Sequence, residues 1–163
     1  EAGSQPIERV PVDLAAITED ICELFRPASE DKGVALTCVV ERNTQIAGDA
    51  QRLKRVVGQL LDNALKYTPA GDRVMVRCSR DENCAQLVVE DTGIGIPGAA
   101  LDEIFGRFYR VDSSRSESGN GLGLSLVRAI TRALGGEVSV MSELDRGSRF
   151  TVRFPLLADE KES

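Results

Sequence analysis

Three separated stretches of this sequence carry residues that could act on a charged ligand. In the first, Gln59, Asn63 and Lys66 fall at i, i+4 and i+7, a spacing that lines them along one flank of a helix. An asparagine carbonyl can ligate a hard cation without adding charge, and a lysine one turn on can meet phosphate oxygens. The same stripe also suits the solvated edge of an amphipathic helix. In the second, VVEDTGIGIP at 88–97, an apolar run delivers Asp91, and Gly93 and Gly95 then let backbone approach a ligand. A carboxylate only accepts hydrogen bonds, so Asp91 could select a ligand amine such as that of adenine. It could equally cap its own glycine turn. The third is GNGLGLSL at 119–126, where spaced glycines precede a helix start whose free N–H groups and dipole favour phosphate. It follows no strand and lacks Gly-Lys-Ser/Thr, so neither the dinucleotide fingerprint nor the P-loop applies.

What is missing narrows the chemistry further. The chain contains no histidine, which removes Ser-His-Asp and Cys-His catalysis, histidine metal sites and imidazole acid–base work. Its four cysteines, Cys22, Cys38, Cys78 and Cys84, form no C-x-x-C pair and are read as buried reduced thiols, a pattern that favours a cytosolic setting. With a net charge of -6 and a pI near 4.8, the chain is a poor match for nucleic acid or an anionic membrane, so any phosphate must be held locally. No apolar run approaches the ~20 residues needed to cross a bilayer, and no signal-peptide pattern opens the chain. The start lacks Met, which reads as a piece of a longer protein.

The elements that must position these residues follow from the apolar periodicity. A short strand at 10–12 leads to Asp13, a cap for a helix carrying Leu14, Ile17, Ile21, Leu24 and Phe25. Pro27 is expected to bend that helix and Gly33 to end it. Strands follow at 34–40 and 44–47. Asp49 caps a second helix with Leu53, Val56, Val57, Leu60, Leu61 and Ala64 on its core face, stopped by Pro69. Strands at 73–79 and 84–90 pair across the polar turn 80–83. A short helix is expected at 101–105, then a serine-rich segment at 112–120 whose composition predicts mobility. A third helix starts near Leu122 with Leu126, Val127, Ile130, Ala133 and Leu134 on one face. Gly135 and Gly136 close it, and strands at 137–141 and 150–154 form a last hairpin. The sum is an α+β two-layer sandwich, a mixed sheet of about five strands with three helices on one face.

Taken in order, QLLDNALKYTP (59–69), EDTGIGIP (90–97), IFGRFYRVD (104–112), GNGLGLSL (119–126) and GSRFTVRFPL (147–156) resemble the N box, first glycine box, F box, second glycine box and closing strand of sensor histidine kinases. Those domains share an ATP-binding superfamily with gyrase, MutL-type repair proteins and a class of heat-shock chaperones. The resemblance spans roughly residues 10 to 157, with 1–9 as the end of a linker and 158–163 as a polar tail. It implies ATP and Mg2+ as cofactors, with Asn63 coordinating the magnesium that bridges the phosphates. Lys66 is placed toward phosphate and Tyr67 beside the nucleotide. Asp91 is placed on the adenine amine, with Gly93, Gly95 and Ile96 around the base. Arg107 and Arg110 belong to the F box, where basic residues meet phosphates or the acceptor helix. Residues 112–119 match the ATP lid, and Gly119, Gly121, Leu122, Gly123 and Leu124 the phosphate-binding loop; Thr151 on the closing strand completes the set. Phe105, Phe108 and Tyr109 are expected to anchor the lid rather than touch ligand.

Two positions depart from the family pattern. Gln59 stands where the family usually has Asn and where related ATPases carry a glutamate base. An amide cannot activate water, which suits phosphoryl transfer better than hydrolysis. Gly106 replaces a residue that is often acidic. In the resembled family the acceptor histidine sits on a helical-hairpin dimerisation domain just upstream, and a response-regulator receiver domain takes the phosphoryl group onward. Both are therefore implied partners. The resemblance implies a cytoplasmic catalytic domain, monomeric by itself, from a parent that could be membrane-anchored. Two alternatives stay open: a degenerate nucleotide-binding scaffold and a serine-directed anti-sigma-factor kinase.

Overall fold

The computed structural model describes residues 9–101, 103–105 and 123–157. Asp13 ends β1 (Val10–Asp13) and caps α1 (Leu14–Lys32), its carboxylate accepting from the N–H groups of Ala15 and Ala16 at 3.0 and 3.3 Å. The helix runs through Pro27 and stops at Gly33, whose φ of 82° is the left-handed C-cap conformation that glycine adopts without penalty. β2 (Ala35–Val40) and β3 (Gln45–Gly48) follow. Asp49 then caps α2 (Ala50–Lys66) by accepting from Arg52 N–H at 3.0 Å. Lys32, in the last turn of α1, donates from its ammonium to the carbonyls of Leu65 and Lys66 at the end of α2, a charge suited to a helix C-terminus.

β4 (Arg73–Arg80), β5 (Cys84–Asp91), α3 (Gly123–Ala133), β6 (Glu137–Glu143) and β7 (Gly147–Pro155) complete the described elements. β1 and β3 form a two-stranded ribbon, and a five-stranded sheet has the order β2-β4-β5-β7-β6. β2 runs parallel to β4, and the remaining neighbours pair antiparallel. The three helices pack on one face. α2 buries Leu53, Val56, Val57, Leu60, Leu61, Ala64 and Leu65, and α3 buries Val127 and Ile130. Opposite them stand Val74, Val76, Leu87, Val89, Phe150, Val152 and Phe154, alternate residues of three neighbouring strands. Each of these side chains contributes about 1.5–3 kcal/mol by leaving water.

The expected α+β sandwich is present, with three local differences. In place of a helix at 101–105, the chain makes a single 3-10 turn at Gly98–Ala100, followed by tight turns. The Ala100, Leu101 and Glu103 N–H groups bond the carbonyls of Pro97, Gly98 and Ala100, three residues back, so no α-helical ladder starts. β7 begins at Gly147 rather than at 150, which brings Ser148 opposite Asp91 in the β5–β7 register. Of the four free thiols, Cys22 and Cys78 are buried while Cys38 and Cys84 are half-buried. Burial pushes the Cys78 thiol up to about 12. The start of the third helix at Leu122 and the serine-rich segment lie outside the described residues. No described helix is long and apolar enough to cross a membrane.

Candidate functional site

β5 is buried along most of its length and ends on Asp91, which is only 7% exposed. A carboxylate in that position must find donors or lose its charge. Its Oδ1 accepts from Gly93 N–H at 2.8 Å, and Ser148 N–H on the adjacent strand also donates to the carboxylate. Burial still wins: it holds the Asp91 carboxyl above the usual aspartate range, with the two N–H groups and the nearby Glu90 as smaller influences. The Asx-type capping read from sequence is therefore real. It occupies part of the carboxylate and leaves lone pairs for a ligand.

The glycine turn after Asp91 is fixed from three sides. Ile94 N–H donates to the Tyr67 carbonyl at 3.2 Å, where α2 ends, and Asp145 N–H donates to the Ile94 carbonyl at 2.8 Å. Ile96 N–H donates to Ser142 Oγ at 2.7 Å, and that hydroxyl also bonds the Gly147 carbonyl at 3.0 Å and Ser148 Oγ at 2.8 Å. Gly95 has φ 77° and Gly147 φ 119°, and a Cβ on either would overlap backbone, of Glu143 and of Asp91 respectively. Side chains are thus excluded at both positions by protein backbone.

A pocket opens between this turn and the helices, lined by Asn63, Tyr67, Asp91, Gly95, Ile96, Ile104, Leu124 and Ser148. Counted out to its open mouth, solvent included, its empty volume is near 330 Å³. Six lining residues, Asn63, Tyr67, Asp91, Gly95, Ile96 and Leu124, are expected from the sequence. Ile104 and Ser148 are additions, and Ser148 is reached only through the extended β7.

Other expected residues are placed differently. Gln59 is half-buried with its side-chain oxygen against Gly123, at the point where α2 meets the start of α3, and does not line the pocket. Lys66 is exposed on the last turn of α2, outside the lining. Gly93 serves as the donor to Asp91. Thr151 stands apart from the lining: Phe150 and Val152 are buried toward the helices, so strand alternation turns Thr151 to the other face of the sheet. Phe105 is buried and meets Phe150 edge-on at 6.2 Å, with the Arg128 guanidinium 5.7 Å from its ring centre, an anchor rather than a ligand contact. Gly106, Arg107, Phe108, Tyr109, Arg110, Gly119, Gly121 and Leu122 lie outside the described residues.

An amide, a buried carboxylate and an apolar floor, opening beside the start of a helix, make this a nucleotide-binding domain of the α+β sandwich type. Residues 48–158 match the family described as histidine kinase-, DNA gyrase B-, and HSP90-like ATPase, and the chain belongs to that family. It is 39% identical over 150 residues to the sensor histidine kinase CusS of Escherichia coli K12, covering 91% of this chain and 31% of that protein. To the probable sensor protein PcoS of Escherichia coli it is 37% identical over 161 residues, covering 98% of this chain and 34% of that one. The chain thus spans about a third of the length of the curated relatives it matches. Among solved structures, the mycobacterial sensor histidine kinase MprB superposes with a TM-score of 0.81 at 33% identity, covering 92% of this chain and 100% of that one. Full-length ShkA in complex with AMPPNP superposes with a TM-score of 0.84 at 29% identity, covering 96% of this chain and 33% of that one.

Proposed function

We propose that this domain binds Mg-ATP in the Asn63–Asp91 pocket and donates the γ-phosphoryl group to a histidine of a sensor kinase's helical-hairpin dimerisation domain. The observation that carries the reading is the convergence of three separate sequence motifs on one cleft. Asn63 comes from α2, Asp91 with Gly95 from the end of β5, and Leu124 from the start of α3. In this reading Asp91 accepts from the adenine amine while Ile96, Ile104 and Leu124 exclude water from the base. The ligand named for the ShkA complex, AMPPNP, is an ATP analogue, which supports the choice of nucleotide.

Among the described residues, no three His, Cys, Asp or Glu side chains cluster as a metal cage. One neutral amide at Asn63 fits a magnesium ion whose other ligands are phosphate oxygens and water. Bound there, magnesium would offset phosphate charge. The chain's own contribution is to hold the base and to aim the phosphates toward the start of α3. Transfer breaks the bond between the γ-phosphorus and the β,γ-bridging oxygen, forms a phosphorus–nitrogen bond to imidazole and releases ADP. With no histidine among the 163 residues, the acceptor must come from another segment or chain, and a response-regulator receiver domain would take the phosphoryl group from it.

The test is to mix this chain with an acceptor hairpin and γ-labelled ATP. Label on the hairpin histidine, acid-labile and lost when that histidine is replaced, is the expected result. Tight nucleotide binding with no transfer to any hairpin would favour a nucleotide-sensing scaffold instead.

A further inference from the structure

The four thiols of this chain are not equivalent, and two of them meet. Cys22 lies on the buried side of α1, fully enclosed beside Thr18 and Ile21. In β2 the exposure alternates, so Leu36, Cys38 and Val40 turn toward α1 while Thr37 and Val39 face away. The edge strand thereby presents Cys38 to the helix, half-buried and packed against the core that contains Cys22. Because β2 doubles back along α1 after Gly33 and Arg26 meets Leu36 there, Cys22, one turn before Arg26, and Cys38, two residues past Leu36, fall at the same level of the α1–β2 boundary. Arg26, one turn along α1 from Cys22, is pinned above them: its Nη1 donates to the Leu36 carbonyl at 2.9 Å and its Nε to Glu23 Oε2 at 3.2 Å. None of these residues lines the nucleotide pocket.

We propose that Cys22 and Cys38 are a peroxide-responsive dithiol that closes into a disulfide between α1 and the edge strand β2. A reactive cysteine needs a stabilised thiolate, partial access to solvent and, for reversible oxidation, a second thiol at hand. Cys38 meets all three conditions. The neighbouring Cys22 chiefly lowers its thiol below the ordinary range, with Arg26 assisting, against burial and the carboxylates of Glu19 and Glu23; Cys38 is half-buried where Cys22 and Cys78 are enclosed. Cys22 is raised by the same contact and by burial, so it stays protonated until called on to resolve. Cys78 faces the same layer but is held protonated by burial, and Cys84 sits across the sheet at the start of β5.

The chemistry balances without any further reagent. The Cys38 thiolate attacks one oxygen of hydrogen peroxide, hydroxide leaves, and the sulfur becomes a sulfenic acid as peroxide is reduced. The Cys22 sulfur then attacks the Cys38 sulfur, the S–S bond forms, and the sulfenic oxygen leaves as water with the Cys22 proton. In total, two thiols and one hydrogen peroxide give one disulfide and two waters.

The test uses the full chain, substoichiometric hydrogen peroxide and digestion with trypsin under non-reducing conditions. Because trypsin spares the Arg26-Pro27 bond, Cys22 lies in peptide 10–32 and Cys38 in peptide 33–42. The expected product is those two peptides joined, 2 Da below their summed mass and separated by dithiothreitol. In competitive alkylation, Cys38 should be modified ahead of Cys22 and Cys78, which are enclosed. In Cys22→Ser, oxidation should halt at a sulfenic acid on Cys38 that dimedone traps. Oxidation beginning at Cys84 or Cys78, or Cys38 passing to sulfinic acid with Cys22 still reduced in the unmodified chain, would overturn the proposal. The readout involves no nucleotide, so it stands or falls apart from the kinase reading.

Discussion

Asp91→Asn is the substitution that isolates the recognition step. The carboxylate is 7% exposed and takes hydrogen bonds from the N–H groups of Gly93 and Ser148. In the Asn side chain one end must remain an oxygen to receive Gly93 N–H, so the amide NH2 is turned toward Ser148 and the pocket. An adenine amine would then face a donor where it needs an acceptor. The loss is one charge-assisted hydrogen bond plus an amine left unsatisfied, about 2–3 kcal/mol, or roughly 30- to 150-fold in Kd. The apo fold meets two opposed effects. The folded-state pKa of Asp91 is raised, so its ionised form weighs against folding above that pKa, and the penalty disappears as pH falls through it. Replacing the carboxylate with an amide removes that penalty but leaves the Ser148 N–H facing a donor, so the two effects offset and the melting temperature near pH 7 should stay close to that of wild type. Calorimetric titration with ATP and GTP, beside thermal unfolding, measures both. Wild type should prefer ATP, since guanine offers a carbonyl where adenine offers an amine, and the variant should narrow the gap. Wild-type ATP affinity should also decline on acidification at a pH above the ordinary aspartate range, while the variant's stays flat there. Unchanged ATP affinity in a well-folded variant would refute the assignment of Asp91 to adenine.

Further substitutions probe the rest of the pocket. Asn63→Ala should lower ATP affinity about tenfold in magnesium and very little in EDTA, the value of one lost polar contact; equal loss in both buffers would argue against a cation ligand. Gly147→Ala sets a side chain at φ 119° into the Asp91 carbonyl, and should cost about 2–4 kcal/mol, a fall in melting temperature of roughly 5–15 °C. A melting temperature within a degree of wild type would contradict the described β5–β7 register. Ser142→Ala leaves Ile96 N–H without its acceptor and should cost about 1–3 kcal/mol, lowering nucleotide affinity and stability together. Loss of stability alone would show that the glycine turn keeps its shape without that hydroxyl.

Much of the fold can be read from local patterns because the signals are local. Asp13 and Asp49 stand before apolar residues at helical spacing, and each caps a helix as that order requires. Gly33 follows the last turn of α1 and takes the left-handed conformation that ends it. Asn63 and Asp91 stand out in sequence because a polar residue beside an apolar stripe, or at the end of a buried strand, needs a reason to be there. The missed and misplaced residues share a different cause. Ser148 becomes part of the site through a register that pairs it with Asp91, 57 positions away by number, and no local periodicity encodes that pairing. Thr151 lies three residues further along β7 than Ser148, and strand alternation carries it to the opposite face. The 3-10 turn at Gly98–Ala100 arises just after Pro97, whereas the apolar residues that follow it read equally well as a short helix.

By itself the sequence determined most of the helices and strands, which faces they bury, and that this chain offers no imidazole. It also supplied an amide, a carboxylate and glycine turns in an order that resembles one ATP-binding family. Tertiary structure alone decided which of these share a cleft. It brought Asn63 and Asp91 together with Ser148, turned Gln59 onto Gly123, and set Cys38 on the face of β2 that packs against the core beneath α1. Those meetings depend on strand order and on how helices settle over a sheet. Such choices are made by burying apolar area between elements distant in sequence, which no single segment can specify.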